Sequence, residues 1–207
     1  MRKDENSVKF LIATHNPHKL RELERILQPL GIDAVTDRQI GLELPEVEET
    51  GTTFAENAYL KAASACAFAG IPAVADDSGI SVDALGGAPG VYSARYGGPG
   101  LTDEDRVVKL LEDMKDVPPE KRQAHFTSAV CCVFPDGTVL RAEGICEGFI
   151  TAAPVGENGF GYDPVFLYGD RTTAQMSSEE KDAISHRGKA LAEFAGILTA
   201  YLKEKES

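Results

Sequence analysis

Hydrophobic residues near the start of the chain form a short apolar run and then a stretch with helical spacing. The run VKFLIA, residues 8–13, predicts a buried strand. Beyond it, apolar residues recur every three or four positions and predict the buried face of a helix: Leu20, Leu23, Ile26, Leu27 and Leu30. Asn16 is a natural N-cap with Pro17 at the first helical position, and Gly31 ends the helix.

A second helix and strand follow an acidic stretch. Thr53 and Glu56 have the spacing of a capping box, and Gly70 begins the stop signal. The helix between them is rich in alanine, so we expect it to pack closely against a sheet. The sequence PAVA then predicts a short buried strand that ends at residues 76–79, and residues 80–82 continue as a strand.

The second half of the chain contains a glycine-rich segment, a helix and a hairpin. Residues 83–100 predict a shaped loop, because they are rich in glycine without being repetitive. Thr102 and Asp105 predict the start of a helix that runs to about Met114. The alternating runs on either side of a Pro-Asp-Gly turn predict a β-hairpin, residues 129–134 and 138–147.

The C-terminal part is predicted to be helical from Ser177 or Ser178, with a break near Gly188. Together the elements predict an α/β fold with a mixed central β-sheet flanked by helices. We expect residues 1–207 to form a single domain with two lobes that are not independent. The hairpin and the glycine-rich loop are expected in the second lobe, and a substrate cleft is expected between the lobes.

The net charge of the chain restricts the kinds of molecule that it is expected to bind. The 207 residues carry a net charge of −12, which disfavours a nucleic acid polymer or an anionic membrane as partner. A small nucleotide is compatible with this charge, since a few lysines and a divalent cation reverse the local field. No signal peptide or run of about 20 apolar residues is present, so we expect a cytoplasmic protein. The four cysteines lack Cys-x-x-Cys spacing and are expected to be reduced, buried thiols.

Two motifs have the chemistry of a phosphate and metal site. Thr14-x-Asn16-x-x-Lys19 joins a strand to a helix N-terminus, which suits phosphate; the alternative is a capped helix with a solvated lysine. Glu48-Glu49 and Asp76-Asp77 offer the carboxylates that Mg²⁺ prefers, although the glutamates could also belong to a solvated loop. Two aspartates after a buried strand are costly unless they bind something, which strengthens the metal interpretation.

Two further motifs offer contacts for a base. Residues 159–164 (GFGYDP) combine glycines, which allow close approach of the backbone, with the flat ring of Phe160; the alternative is a structural turn. Lys181, His186 and Arg187 gather hydrogen-bond donors of the kind that a 6-oxo purine and a phosphate tail require. The alternative for these donors is a surface helix with solvated cations.

The four motifs together resemble the inosine triphosphate pyrophosphatase family, whose members act on ITP, dITP and XTP. Five blocks occur in the family's order and span nearly the whole chain: IATHNPHKLRELERIL, EETGTTFAENAYLKA, ADDSGISVDALGGAPGVYSARYGG, GFGYDPVF and KDAISHRGKAL. The chain departs from the family in about seven extra residues before the first strand and in His15 and His18.

The resemblance implies a role for each matching position. Asp77 matches the catalytic general base and magnesium ligand, and Glu49, or alternatively Glu48, matches the second magnesium position. Ser78 and Lys61 match substrate-contacting positions. The remaining substrate-binding positions form the triphosphate segment, the base loop and the closing contacts: Thr14, His15, Asn16, Pro17, His18 and Lys19; Phe160, Gly161, Tyr162 and Asp163; Lys181, His186 and Arg187.

The resemblance also implies the activity. We expect Mg²⁺-dependent hydrolysis of a nucleoside triphosphate to monophosphate and pyrophosphate, in a homodimer whose shared surface lies near residues 92–96. One alternative is a Maf-like pyrophosphatase that prefers pyrimidine or modified nucleotides. The other is a nucleotide sensor without catalysis, which would lack the acidic pair.

Overall fold

A computed structural model describes residues 8–14 and 17–205 of the chain. Within these residues the predicted helices and strands are present, together with three strands that the sequence analysis did not predict, at residues 32–35, 166–168 and 171–172. The strands are β1 Val8–Ile12, β2 Ile32–Val35, β3 Ala73–Val82, β4 Gln123–Val133, β5 Val139–Ile150, β6 Phe166–Tyr168 and β7 Arg171–Thr172. The helices are α1 Pro17–Leu27, α2 Phe54–Ala69, α3 Asp103–Asp113, α4 Ser178–Ile184 and α5 His186–Lys205.

The described strands form one seven-stranded sheet with the order β2-β1-β3-β4-β5-β6-β7. Strand β1 pairs in parallel with β2 and β3, whereas β6 pairs antiparallel with β5 and β7. Parallel pairs need a crossover, and α1 and α2 supply it after β1 and before β3. The predicted fold class, a mixed sheet flanked by helices, is confirmed.

Strand β3 differs from the prediction that the strand ends at residues 76–79, because it continues without interruption through Asp76, Asp77 and Ser78. Both carboxylates have a lysine partner, which offsets the cost of placing them in a mostly buried strand. Gly79 is required by close packing: a Cβ at this position would lie 2.8 Å from the Gly90 carbonyl oxygen. The prediction was wrong because the two lysines that pair with Asp76 and Asp77 are distant in sequence.

The chain divides into two compact units. Unit 1 comprises the described parts of Met1–Asp77, Ala129–Glu143 and Ala190–Ser207, and unit 2 comprises Ser78–Ser128 and Gly144–Lys189. Each unit has its own buried core, which includes Phe10, Ile12, Leu27, Val74 and Phe194 in unit 1 and Ile80, Leu110, Met114, Val165 and Phe166 in unit 2.

The β-hairpin and the C-terminal helices differ in part from the sequence prediction. The hairpin was expected in the second lobe, but its turn and adjoining strand residues lie in unit 1. The helical break falls at Ser185, between α4 and α5, rather than near Gly188. Both differences reflect long-range packing, which local sequence patterns do not specify. Among the described residues, no helix combines the length and apolar character needed to cross a bilayer.

The cysteines agree with the prediction of buried thiols. All four are free and buried. Burial raises the pKa of Cys131 to about 11. These thiols therefore stay protonated at neutral pH and act as small apolar residues of the core.

The N-terminus of α2 has the predicted capping box. Thr53 Oγ1 accepts a hydrogen bond from the Glu56 N–H (3.2 Å), and the Glu56 carboxylate accepts one from the Thr53 N–H (3.2 Å). At the other end, Gly70 has the left-handed conformation with φ 70° and its N–H donates to the Cys66 carbonyl. Both ends of α2 are thus set by local sequence.

We expect Thr53→Ala to lower the free energy of unfolding by about 1 kcal/mol, because the cap of α2 is lost. Urea unfolding followed by circular dichroism measures this change. Thr53→Ser, which keeps the hydroxyl, should stay close to the wild-type value. An equal loss in both variants would contradict the capping explanation.

Candidate functional site

Two acidic side chains of unit 1, Glu49 and Asp77, contact the ammonium group of Lys61. Its ammonium nitrogen, Nζ, lies 2.8 Å from Glu49 Oε1 and 3.2 Å from Asp77 Oδ1. Helix α2 supplies Lys61, strand β3 supplies Asp77, and the loop before α2 supplies Glu49. The sequence predicted that these three residues share a site, and the structure brings them together. It is Glu49, rather than the exposed Glu48, that contacts Lys61.

Burial determines the protonation behaviour of this cluster. Burial raises the pKa of Asp77 above its usual range; Lys61 opposes this rise and Glu49 adds to it. Burial also disfavours the charged form of Lys61, but the two carboxylates outweigh it, so the pKa of Lys61 is raised. The lysine therefore remains a cation among acids that are partly withdrawn from water.

Asp76 forms a second ion pair beside this cluster. Lys19 Nζ lies 2.7 Å from Asp76 Oδ2, and Asp76 is only 5% exposed. In the described part of the chain, no hydrogen-bond donor reaches the other oxygen, Oδ1, which is buried. The sequence analysis included Asp76 among the candidate carboxylates for Mg²⁺, and the structure makes it the partner of the predicted phosphate-binding lysine.

Asn57 is a residue of this cluster that the sequence analysis missed. It is fully buried on α2, and its Nδ2 donates to Asp77 Oδ2 (3.2 Å) while its Oδ1 accepts from the Gly51 N–H (2.8 Å). The available signal was its spacing from Lys61: residues four apart in a helix lie on the same face.

The acidic residues fit a divalent ion that is shared with a substrate. Among the described residues, no three His, Cys, Asp or Glu side chains form a cage that could hold a metal by protein ligands alone. Mg²⁺ usually binds one or two carboxylates together with substrate phosphates. Glu49 and Asp77, with the buried Asp76 oxygen nearby in sequence, supply that type of donor set.

Unit 2 contains the predicted base loop, and Asp163 holds it together. Asp163 is 2% exposed and accepts hydrogen bonds from the Phe160 N–H (2.8 Å), Thr173 Oγ1 (2.8 Å) and Lys181 Nζ (2.5 Å). The sequence analysis placed Asp163 among the substrate-binding positions of the base loop. In the structure its oxygens accept hydrogen bonds from the loop and from Thr173 and Lys181.

The other predicted residues of unit 2 differ in exposure. Phe160 is 54% exposed, and Lys181 Nζ lies over one face of its ring, 4.6 Å from the ring centre. Tyr162 is buried and its hydroxyl donates to the Ser93 carbonyl (2.8 Å), so any substrate contact at this position is expected from its backbone.

The closing contacts also lie in unit 2. Arg187 Nη2 is 3.5 Å from Ser78 Oγ, and His186 stacks on Phe126 at 4.8 Å between ring centres. Asp163, Lys181 and His186 line a common concavity. The predicted cleft between the lobes stays a prediction.

Part of the predicted triphosphate segment lies outside the described residues. This applies to His15 and Asn16, and to the side chains of Pro17 and His18. Thr14 and Lys19 are described, and Lys19 enters the Asp76 pair.

In this mixed α/β sheet, strand β3 carries two carboxylates that pair with lysines from α1 and α2, and charged groups of this kind suit phosphate and a divalent ion. The chain belongs to the Ham1 family, whose sequence profile matches residues 10–197. The resemblance drawn from the motifs is thereby confirmed.

Three relatives illustrate the similarity. The dITP/XTP pyrophosphatase of Photorhabdus laumondii is 48% identical over 187 residues, which cover 88% of this chain and 94% of that protein. The dITP/XTP pyrophosphatase of an Exiguobacterium species is 46% identical and covers 95% of this chain and 100% of that protein. The structure of a HAM1 protein from Coxiella burnetii has a TM-score of 0.88 and 40% identity, covering 93% of this chain and 99% of that one.

Proposed function

We propose that this protein hydrolyses non-standard purine nucleoside triphosphates, namely ITP, dITP and XTP, to the monophosphate and pyrophosphate. The observation that carries the proposal is the contact of Lys61 Nζ with both Glu49 (2.8 Å) and Asp77 (3.2 Å). The activity for which these relatives are named, dITP/XTP pyrophosphatase, supports the same reaction.

In the proposed mechanism, Asp77 orients a water molecule and accepts its proton as the water attacks the α-phosphate. Lys61 and Lys19 stabilise the charge that develops on the pyrophosphate leaving group. Glu49 and Asp77 would hold a Mg²⁺ ion, which supplies charge neutralisation on the phosphate oxygens when bound.

We assign the selectivity for 6-oxo purine bases to hydrogen-bond donors in unit 2. Lys181, His186 and Arg187 offer donors that match a 6-oxo group. A 6-amino group would leave these donors without an acceptor. A buried donor without an acceptor strongly disfavours binding of the wrong base. ATP is therefore expected to be a poor substrate. The proposal also includes a cytoplasmic location and a homodimer.

The proposal is tested by measuring pyrophosphate release from a panel of nucleoside triphosphates with and without Mg²⁺. We expect release from ITP, dITP and XTP, little from ATP, and loss of activity after removal of the metal with EDTA. Restoration by added Mg²⁺ is the control for the chelator.

Two outcomes of this assay favour the alternatives. Preference for UTP over ITP would favour a Maf-like pyrophosphatase. Nucleotide binding without any pyrophosphate release would favour a non-catalytic sensor, and either result would overturn the proposed reaction.

A further inference from the structure

The amide of Asn57 connects two parts of the acidic cluster that are separated in sequence. One end donates to Asp77 Oδ2 at 3.2 Å, and the other accepts from the Gly51 N–H at 2.8 Å. The side chain is 0% exposed, so water does not compete for these bonds. A single buried group thus contacts both the strand that carries Asp77 and the loop that carries Glu49.

The contact with Gly51 requires the absence of a side chain there. A Cβ at position 51 would lie 2.6 Å from Asn57 Oδ1 and 2.7 Å from the Glu56 Cβ. Because Glu49 is two residues away, the position of Gly51 determines where Glu49 can reach. The loop therefore approaches α2 closely enough for Glu49 to contact Lys61, which lies one helical turn beyond Asn57.

The Asp77 carboxylate is held from two sides. Asn57 Nδ2 binds Oδ2, and Lys61 Nζ contacts Oδ1. Two donors on different oxygens fix the rotation of the carboxylate plane, which one donor alone would leave free. Asparagine suits this place because it offers a donor and an acceptor without adding charge to an acidic cluster.

We propose that Asn57 is a positioning residue for the hydrolysis: its amide fixes Asp77 and the Gly51 loop so that Asp77 and Glu49 meet at Lys61. This proposal rests on the proposed function of the same site. Asn57 acts through these neighbours, so its loss should reduce kcat more than it raises KM, because the nucleotide itself is held by other residues.

The central test is Asn57→Asp, which keeps the oxygen that faces Gly51 but replaces the donor to Asp77 with a second carboxylate oxygen. Steady-state pyrophosphate release from dITP at saturating Mg²⁺ gives kcat and KM. We expect kcat to fall on the order of 100-fold, as expected for a displaced catalytic group, with KM changed less than about threefold.

Gly51→Ala is an independent variant that acts from the other side of the contact. It keeps Asn57 and both acids but forces the loop away from the amide. We expect kcat to fall in this variant too, again with little change in KM. The two variants change different residues. If one of them fails to fold, the other still tests the proposal.

Thr53→Ala is the matched control, because it weakens the same end of α2 without removing a contact to Asp77. Assayed well below its melting temperature, it should keep the wild-type kcat. Folded Asn57→Asp or folded Gly51→Ala with wild-type kcat would overturn the positioning role. An equal fall of kcat in Thr53→Ala would overturn it as well, because general weakening of α2 would then explain the loss.

These experiments distinguish an error in the proposed function from an error in this inference. If the wild-type protein releases no pyrophosphate from any nucleotide of the panel, the reaction itself is wrong. If the wild type is active and Asn57→Asp is equally active, only the positioning role is wrong.

Discussion

Replacing Asp77 with asparagine is expected to abolish pyrophosphate release while the fold and nucleotide binding are retained. The amide has nearly the same shape as the carboxylate but cannot accept a proton from water. Loss of a general base typically lowers the rate by about 10²- to 10⁴-fold. Because burial already disfavours the ionised form of Asp77, the neutral amide should not destabilise unit 1.

The measurement combines pyrophosphate release from dITP with circular dichroism and a direct nucleotide-binding titration. Asp83→Asn is a matched control, since Asp83 follows the same strand but is 62% exposed. It should keep the wild-type rate. Turnover of Asp77→Asn near the wild-type rate would place the general base elsewhere, and a loss of folding would remove the support for a catalytic role.

The elements predicted correctly from the sequence depend on chemistry within a few residues. Thr53 with Glu56, and Thr102 with Asp105, form their capping boxes three residues apart, and both helices begin where these pairs predict. The apolar run of β1 is equally local. Such signals are complete in the sequence, because no distant partner is needed to interpret them.

The parts that the sequence could not specify depend on distant partners. Strand β3 continues through Asp76 and Asp77 because Lys19 and Lys61 neutralise them. Asn57 appears in the sequence as one polar residue in an alanine-rich helix, and its partner Asp77 lies 20 residues further on. The motifs identified the chemical types in the site, but pairing between them is a property of the folded chain.

Asp163 illustrates the same limit within a motif that the sequence singled out. The string GFGYDP predicted a loop with glycines at close approach, and Gly159 indeed has φ 79°. The sequence also suggested that Asp163 contacts the substrate, whereas the structure pairs its carboxylate with Lys181, 18 residues away. A motif can therefore mark the right loop while the role of one side chain within it changes.

Asp163→Ala is expected to lower the free energy of unfolding by about 3 kcal/mol. The carboxylate is 2% exposed and accepts from Phe160, Thr173 and Lys181, and its removal leaves Thr173 only the Asp163 carbonyl, at 3.2 Å, while the other two donors lose this acceptor. Breaking a buried ion pair from one side usually costs this much or more, because the remaining charge is left without compensation. Urea unfolding followed by circular dichroism gives the value.

An exposed ion pair of the same unit is the matched control. Arg171 and Glu180 lie 3.2 Å apart and are each nearly half exposed, so Arg171→Ala should change stability by less than about 1 kcal/mol. Equal losses in the two variants would contradict the role of burial. The Asp163 variant should also raise KM for dITP, because the loop that presents Phe160 loses the side chain that fixes its backbone. A destabilised variant with unchanged KM would mean that Asp163 supports unit 2 without shaping the base site.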